Sequence, residues 1–107
     1  MDLKKLFFEH LAPTSPNPYL LNIKSAKGVI LEDVEGKEYI DLIAGIGVAS
    51  VGHGNPKIVE AVSTQIRDYG HVMVYGEYIQ EPVVKLAESL ASTLPENLQT
   101  CYFVNSG

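Results

Sequence analysis

Apolar residues near the start of the chain recur at the spacing of one helix face. The spacing i, i+3, i+4 and i+8 predicts a short amphipathic helix that lies on another surface. Its four positions are Leu3, Leu6, Phe7 and Leu11. Three prolines then stand at positions 13, 16 and 18 and exclude a regular helix there. We therefore expect an extended arm after the first helix.

From Leu20 to Ile43 the pattern changes to that of β-structure. The stretch "GVILEDVEGKEYIDLI" places two apolar runs on either side of "DVEG". Asp33 suits the first position of a turn, where its side chain accepts backbone amide hydrogens, and Gly36 suits the position that follows the turn. The pattern predicts a β-hairpin with a tight corner.

A glycine-rich segment follows the predicted hairpin. The stretch "AGIGVASVGHGNP" has four glycines in thirteen residues and no hydrophobic period, which predicts a loop whose shape is set by its backbone. Asn55 and Pro56 then suit the N-cap and the first residue of a helix that ends at Gly70. The apolar face of that helix is formed by Ile58, Val59, Val62, Ile66 and Tyr69.

A second amphipathic helix is predicted from Pro82 to about Leu94, with Pro95 as its stop. Lys57 and Lys85 fall on the solvent faces of the two helices. The link "HVMVYGEYIQ" between them is of ambiguous type, and "TCYFV" near the C-terminus predicts a short strand. Two amphipathic helices and a lone strand leave apolar faces uncovered, so we expect that part of the domain is missing.

The charge balance limits the classes of partner. The 107 residues include 13 acidic and 8 basic ones, with a formal net charge of −5, and the basic residues are scattered. We therefore expect neither nucleic acid nor membrane as a partner. Cys101 is the one cysteine of the sequence, so no internal disulfide is expected, and the N-terminal apolar patch is too short for a signal or a membrane span. These features favour the cytoplasm.

Two short motifs are candidates for chemistry. Asn105, Ser106 and Gly107 form a polar corner of the kind that holds a phosphate when a helix follows, although the local pattern alone favours an ordinary turn. His53 in "VGHGNP" is a candidate ligand or base, but the other histidines are remote and no cysteine or carboxylate stands at metal-binding spacing. A turn residue is favoured there, and we assign neither a metal site nor a catalytic residue.

Three longer motifs carry a resemblance to a known family. The hairpin D-x-x-G-x-x-Y-x-D, the loop A-G-I-x-V and the helix start G-H-x-N-P occur together and in order. From about Pro16 to Gly107 the chain resembles the N-terminal quarter of class III aminotransferases, which use pyridoxal 5'-phosphate (PLP). The resemblance implies an α/β fold. It consists of the arm helix, the β-hairpin, two helices and the first strand of the large domain of a fold type I PLP-dependent transferase, truncated at residue 107.

The resemblance also implies domains and site residues. Residues 1–54 would form the N-terminal arm and hairpin segment, and residues 55–107 a helical segment that leads into the incomplete cofactor-binding domain. Ser106 and Gly107 would bind the cofactor phosphate. Ile46 would line the substrate entrance, and His71 and Tyr75 would lie near the substrate pocket and the dimer interface. None of the lysines matches the position that bears the cofactor in the family, so the 107-residue piece alone is expected to be inactive.

The implied function is that of the longer parent. It would move an amino group from an amine or ω-amino acid donor to a 2-oxo acid, as a cytoplasmic homodimer. Acetylornithine, ornithine, 4-aminobutyrate and simpler amines all stay open as donors. The alternative is a stand-alone interaction module, derived from this family and without catalytic activity.

Overall fold

The structure, a computed structural model, describes residues 2–73 and 75–105 of the chain. It divides into two compact units, Met1–Asp68 and Tyr69–Gly107. The first unit contains α1 (Leu3–His10), β1 (Ile23–Lys27), β2 (Ile30–Asp33), β3 (Glu38–Ile40), α2 (Ala44–Gly47) and α3 (Pro56–Asp68), and the second contains α4 (Glu81–Ala91). The boundary predicted at residues 54 and 55 concerns the domains of a longer protein and stays a prediction.

Helix α1 forms where the apolar spacing predicts it. Asp2 caps its N-terminus, because its carboxylate accepts a hydrogen bond from the backbone N–H of Lys5 at 3.1 Å. At the other end the N–H of Leu11 still donates to the carbonyl of Phe7, but Leu11 itself is extended. None of the residues of α1 is buried.

The three strands form an antiparallel sheet in the order β1-β2-β3. Lys27 pairs with Ile30 across the first turn, and Leu31 pairs with Tyr39 across the second hairpin. The predicted hairpin is therefore confirmed as β2 and β3. Strand β1 adds a third member and has a register irregularity between Ile23 and Ser25.

The turn between β2 and β3 is organised by Asp33. One oxygen of its carboxylate accepts hydrogen bonds from the backbone N–H groups of Glu35 and Lys37, both at 2.9 Å, and the other accepts from the hydroxyl of Tyr39 at 2.8 Å. Gly36 closes the turn by donating its N–H to the carbonyl of Asp33, with φ +83°. Both residues act as the sequence predicts. The hydrogen bond from the Lys37 N–H is the largest cause that lowers the pKa of Asp33.

Helix α3 begins at Pro56, as predicted. The side-chain oxygen of Asn55 accepts a hydrogen bond from the N–H of Lys57 at 3.1 Å, which satisfies one of the unpaired donors of the first turn. The helix ends at Asp68, two residues before the predicted stop at Gly70.

In the second unit α4 begins one residue before the predicted start and ends at Ala91, three residues before the predicted end. The hydroxyls of Ser92 and Thr93 bond to the carbonyls of Ser89 and Leu90, both at 2.8 Å, and so compete with continuation of the helix. Lys85 forms an exposed ion pair with Glu81 of the same helix, as expected for its solvent face.

The strand predicted at "TCYFV" is not formed among the described residues. Residues 101–104 pair with no strand in the described part of the chain, although the thiol of Cys101 lies 3.7 Å from the carbonyl of Ala87. A strand exists through its pairing with a neighbour, and this stretch has no such neighbour among the described residues.

Burial is low throughout the described part of the chain. Asp33, with 8 % of its surface exposed, is the one described residue that is buried. None of the described apolar residues is buried. The predicted apolar face of α3 is partly exposed to solvent, with Ile58 at 47 % and Ile66 at 67 % exposure. This exposure agrees with the expectation that further surface is needed to cover the apolar faces. None of the helices in the described residues is long and apolar enough to cross a membrane.

Candidate functional site

The glycine-rich segment after β3 forms a loop, residues 42–52, which we call the Ile46 loop. Asp41 stands at its start and is anchored to the sheet, because its backbone N–H donates to the carbonyl of Val29 at 2.8 Å. One carboxylate oxygen of Asp41 accepts hydrogen bonds from the N–H groups of Ile43 at 3.0 Å and Ala44 at 2.8 Å. Asp41 thus fixes the first turn of the loop.

His53 closes the far end of the Ile46 loop. Its backbone exchanges two hydrogen bonds with Gly28, at 2.9 and 2.8 Å, and so joins the turn between β1 and β2. Its ring nitrogen Nε2 lies 2.6 Å from the second carboxylate oxygen of Asp41. A carboxylate accepts hydrogen bonds, so Nε2 is the donor. The two ends of the loop are therefore joined through both backbone and side chains.

The Asp41 carboxylate is well shielded and kept in its charged form. Its side chain is 8 % exposed and that of His53 is 25 % exposed. The hydrogen bond from His53 is the largest cause that lowers the pKa of Asp41, followed by the backbone hydrogen bond from Ala44. The pair is thus a charge-assisted contact at the base of the loop.

Within the Ile46 loop, the short element α2 (Ala44–Gly47) is one left-handed turn and not a right-handed helix. The φ angles are +50° at Ala44, +60° at Gly45, +61° at Ile46 and +80° at Gly47. The carbonyl of Ile43 accepts from the N–H groups of Ile46 at 2.9 Å and Gly47 at 3.2 Å. The sequence predicts an irregular loop but not this turn. A left-handed conformation costs about 1–2 kcal/mol at a non-glycine residue.

Gly52 allows the base of the loop to approach the sheet. Its φ is +88°, and a Cβ added there would stand 3.3 Å from the Cα of Gly28 and 3.4 Å from its carbonyl oxygen. Only a residue without a side chain fits this approach without a shift of the backbone.

The loop holds apolar side chains away from the rest of its unit. Leu42 is 90 % exposed, Ile46 is 91 % exposed and Val48 is 84 % exposed. Because both ends of the loop are fixed, these exposed side chains form an apolar surface that a small molecule or another polypeptide can contact. The arrangement suits binding and orientation; among the described residues we find no group of three or more potential metal ligands.

The predicted site residues lie in different parts of the chain. Ile46 lies in the Ile46 loop of the first unit, while His71 and Tyr75 lie in the link of the second unit, where both are exposed. Ser106 and Gly107 lie outside the described residues. The roles assigned to these five residues stay predictions.

The sequence does not indicate the contact between Asp41 and His53. Asp41 stands twelve residues before His53, beyond the short spacings typical of metal-ligand motifs, so the sequence does not predict the contact. The sequence favours a turn residue at His53, whereas its backbone forms an isolated β-bridge with Gly28 and its side chain has a carboxylate partner. The motif G-H-x-N-P marks the histidine, whereas its pairing depends on how the loop closes.

Comparisons with known proteins agree with this architecture. The family Aminotransferase class-III matches residues 11–107. The chain is 39 % identical over 87 residues to acetylornithine aminotransferase of Mycolicibacterium smegmatis and covers 22 % of that protein. It is 40 % identical over 87 residues to the mitochondrial alanine–glyoxylate aminotransferase 2 homolog 2 of Arabidopsis thaliana and covers 18 % of it. Each alignment includes 81 % of this chain.

Solved structures show the same fold. A phospholyase from Arthrobacter, in complex with phosphoethanolamine, matches 99 % of this chain with a TM-score of 0.80 and 33 % identity. A transaminase from the marine bacterium Virgibacillus matches 92 % of it with a TM-score of 0.79 and 30 % identity. This chain covers 24 % of each. The predicted fold, the opening part of a PLP-dependent transferase, is confirmed. The chain thus belongs to the class III aminotransferases and spans about a fifth of the length of the relatives it matches.

Proposed function

We propose that this chain is the N-terminal part of a PLP-dependent aminotransferase. The whole enzyme would move an amino group from an amine or ω-amino acid donor to a 2-oxo acid and would work as a cytoplasmic homodimer. The observation that carries the proposal is the family match over residues 11–107, which includes the hairpin, the Ile46 loop and the start of α3.

PLP, when bound, supplies the electron sink for amino-group transfer. Ser106 and Gly107 are the residues proposed to hold its phosphate. They follow Asn105, the last residue that the structure describes, and as a serine and a glycine they carry two backbone N–H groups and one small hydroxyl. These are the donors that a phosphate takes at a strand-to-helix corner.

Some of the described residues would contact the substrate, and others would hold those residues in place. Ile46, exposed at the loop, would pack against the apolar part of the donor. His71 and Tyr75 would offer polar groups near the pocket. Asp41 and His53 would keep the Ile46 loop in place without a direct contact to substrate. Acetylornithine, ornithine, 4-aminobutyrate and simpler amines are the donors to be compared.

The 107-residue chain alone is proposed to be inactive, because none of its lysines matches the cofactor-bearing position of the family. A second candidate function is a stand-alone interaction module. It is favoured by the exposed apolar side chains, which could dock on a full-length relative. We prefer the enzyme, because selection for an independent domain would act against so many exposed apolar residues.

The test uses the protein translated from the whole reading frame that contains this sequence, called here the full-frame protein. It is purified, supplied with PLP and assayed with each donor and a 2-oxo acid, beside the 107-residue chain under the same conditions. We expect transfer by the full-frame protein and none by the short chain. A reading frame that stops after Gly107 and yields a soluble monomer without transfer would favour the module.

A further inference from the structure

We propose that Asp41 and His53 are positioning residues that set the donor selectivity of the enzyme by holding the Ile46 loop in its left-handed conformation. The inference rests on the proposed function, since it concerns the substrate side of that same site. Neither residue is assigned a contact with substrate.

The Ile46 loop is closed at its base. Asp41 and His53 flank the Ile46 loop, and the contact between their side chains, 2.6 Å from Nε2 to the carboxylate, ties its ends together. The Asp41 and His53 backbones are anchored independently, on Val29 and on both polar groups of Gly28. Removal of the side-chain contact therefore leaves the loop attached to the sheet but less constrained.

The backbone of the closed loop is strained. Ala44 and Ile46 both adopt a left-handed conformation that disfavours residues with a Cβ, and a β-branched residue most of all. Such strain persists where the surroundings over-determine the backbone, and it is often associated with binding sites. The strained turn begins at Ala44, whose N–H is bonded to Asp41.

The two oxygens of the Asp41 carboxylate have different hydrogen-bond partners. One oxygen serves Ile43 and Ala44, and the other serves His53. Without the His53 donor, one oxygen of the Asp41 carboxylate would lose its side-chain hydrogen bond, although the Asp41 side chain is only 8 % exposed to water. A shielded charge without a hydrogen-bond donor is unfavourable, so the Asp41 carboxylate would move toward water. That movement would weaken its hydrogen bonds to the N–H groups of Ile43 and Ala44.

The loop conformation sets the position of Ile46, and through it the selectivity for the donor. Ile46 is 91 % exposed, so its position depends on the backbone and not on packing within its own unit. A shift of this side chain would alter its contact with the apolar part of the donor. Apolar contacts discriminate between donors that differ by a methylene group by about tenfold or more. We expect the effect in KM and in donor preference rather than in kcat.

The experiment compares two amide substitutions in the full-frame protein, His53→Gln and His53→Asn. The glutamine side chain can bring its amide nitrogen to the place of Nε2, whereas the asparagine side chain is one carbon shorter and falls short of Asp41. Lys24→Ala is the control, because it removes an exposed ion pair with Glu32 in the same unit, away from the loop. The donors are the best donor of the panel and its homologue with one more methylene group.

Two readouts are taken. The first is kcat and KM for both donors. The second is hydrogen exchange of a peptide that covers residues 41–54. For His53→Asn we expect a raised KM, an about tenfold smaller preference between the donors, and faster exchange in the loop. His53→Gln and Lys24→Ala are expected to match the unsubstituted protein in both readouts.

The proposal is overturned if His53→Asn leaves the donor preference or the loop exchange unchanged, or if His53→Gln is as impaired as His53→Asn. It is also overturned if His53→Asn fails to fold while His53→Gln folds, since the pair would then be a folding contact. If the unsubstituted protein transfers no amino group, the proposed function fails and the selectivity role falls with it. The exchange comparison then decides the positioning role alone.

Discussion

Asp33 and Asp41 use their carboxylates in the same way. In each, one oxygen accepts two backbone N–H groups of the following turn, and the other accepts one side-chain donor. That donor is the hydroxyl of Tyr39 for Asp33 and the imidazole of His53 for Asp41. These two residues fix the two irregular turns that flank β3.

Acid pH should weaken the hairpin through Asp33. Its pKa is lowered in the folded state, chiefly by the Lys37 N–H, so its stabilisation is present above the unfolded pKa of about 3.9. It is lost as pH falls through the lower, folded value. We expect Asp33→Asn in the full-frame protein to unfold at a lower temperature at neutral pH and to lose less on acidification below about pH 4.

The comparison is thermal unfolding as a function of pH. Glu38→Gln, at an exposed carboxylate of β3, serves as the control for loss of one negative charge. If the unfolding temperatures of Asp33→Asn and Glu38→Gln fall by the same amount on acidification, Asp33 is not the cause of the loss of stability at acid pH.

Gly52→Ala should destabilise the base of the Ile46 loop by more than the cost of its backbone conformation. The left-handed residue alone costs about 1–2 kcal/mol, and the added Cβ would also meet Gly28 at 3.3 Å. Gly36→Ala is the matched control, because Gly36 has φ +83° and nothing within 4 Å of an added Cβ. Equal losses of unfolding free energy in the two variants would show that the close approach has no cost.

The residues that the sequence predicts correctly act over short distances along the chain. Asp33, Gly36 and Asn55 each bond to a backbone group within four residues, so these turn and capping roles follow from residue type and position. The contact of Asp41 with His53 joins residues that are twelve apart. It depends on the closure of a whole loop, and no local propensity encodes that closure.

At the scale of elements, the same distinction explains which predictions fail. Helices α1, α3 and α4 are found because each has an apolar period and local end signals. The left-handed turn at Ala44–Gly47 was not predicted, because alanine and isoleucine have no preference for it and the surroundings impose it. Residue type predicts a strand at "TCYFV", whereas the formation of a strand depends on a pairing partner.

Asn55→Ala should loosen the first turn of α3. The loss of the side-chain acceptor for the Lys57 N–H costs about 1 kcal/mol. We expect amide exchange in the first turn of α3 to rise about fivefold. Ser63→Ala, at an exposed position in the middle of the same helix, is the control, and exchange that rises equally in both variants would contradict the capping role.

At the scale of the whole molecule, the central feature is the exposure of apolar residues. None of the described apolar residues is buried, although hydrophobic residues make up 46 % of the sequence. Hydrophobic burial is the dominant favourable contribution to folding. The described residues therefore lack the closed core that would stabilise them in isolation.

The 107-residue chain alone should accordingly expose apolar surface and lack a cooperatively folded core. We expect it to bind the dye ANS and to unfold without a sharp transition, whereas the full-frame protein binds little dye and unfolds cooperatively. Both are measured under the same buffer conditions. A short chain that unfolds cooperatively as a monomer without dye binding would instead favour the independent module.

The most direct test of the central claim is an absorbance titration of the full-frame protein with PLP, followed by addition of an amino donor. We predict a visible band of bound cofactor that disappears with the donor and returns with a 2-oxo acid, together with formation of the new amino acid. A folded full-frame protein that gains no band and transfers no amino group with any donor of the panel would contradict the account.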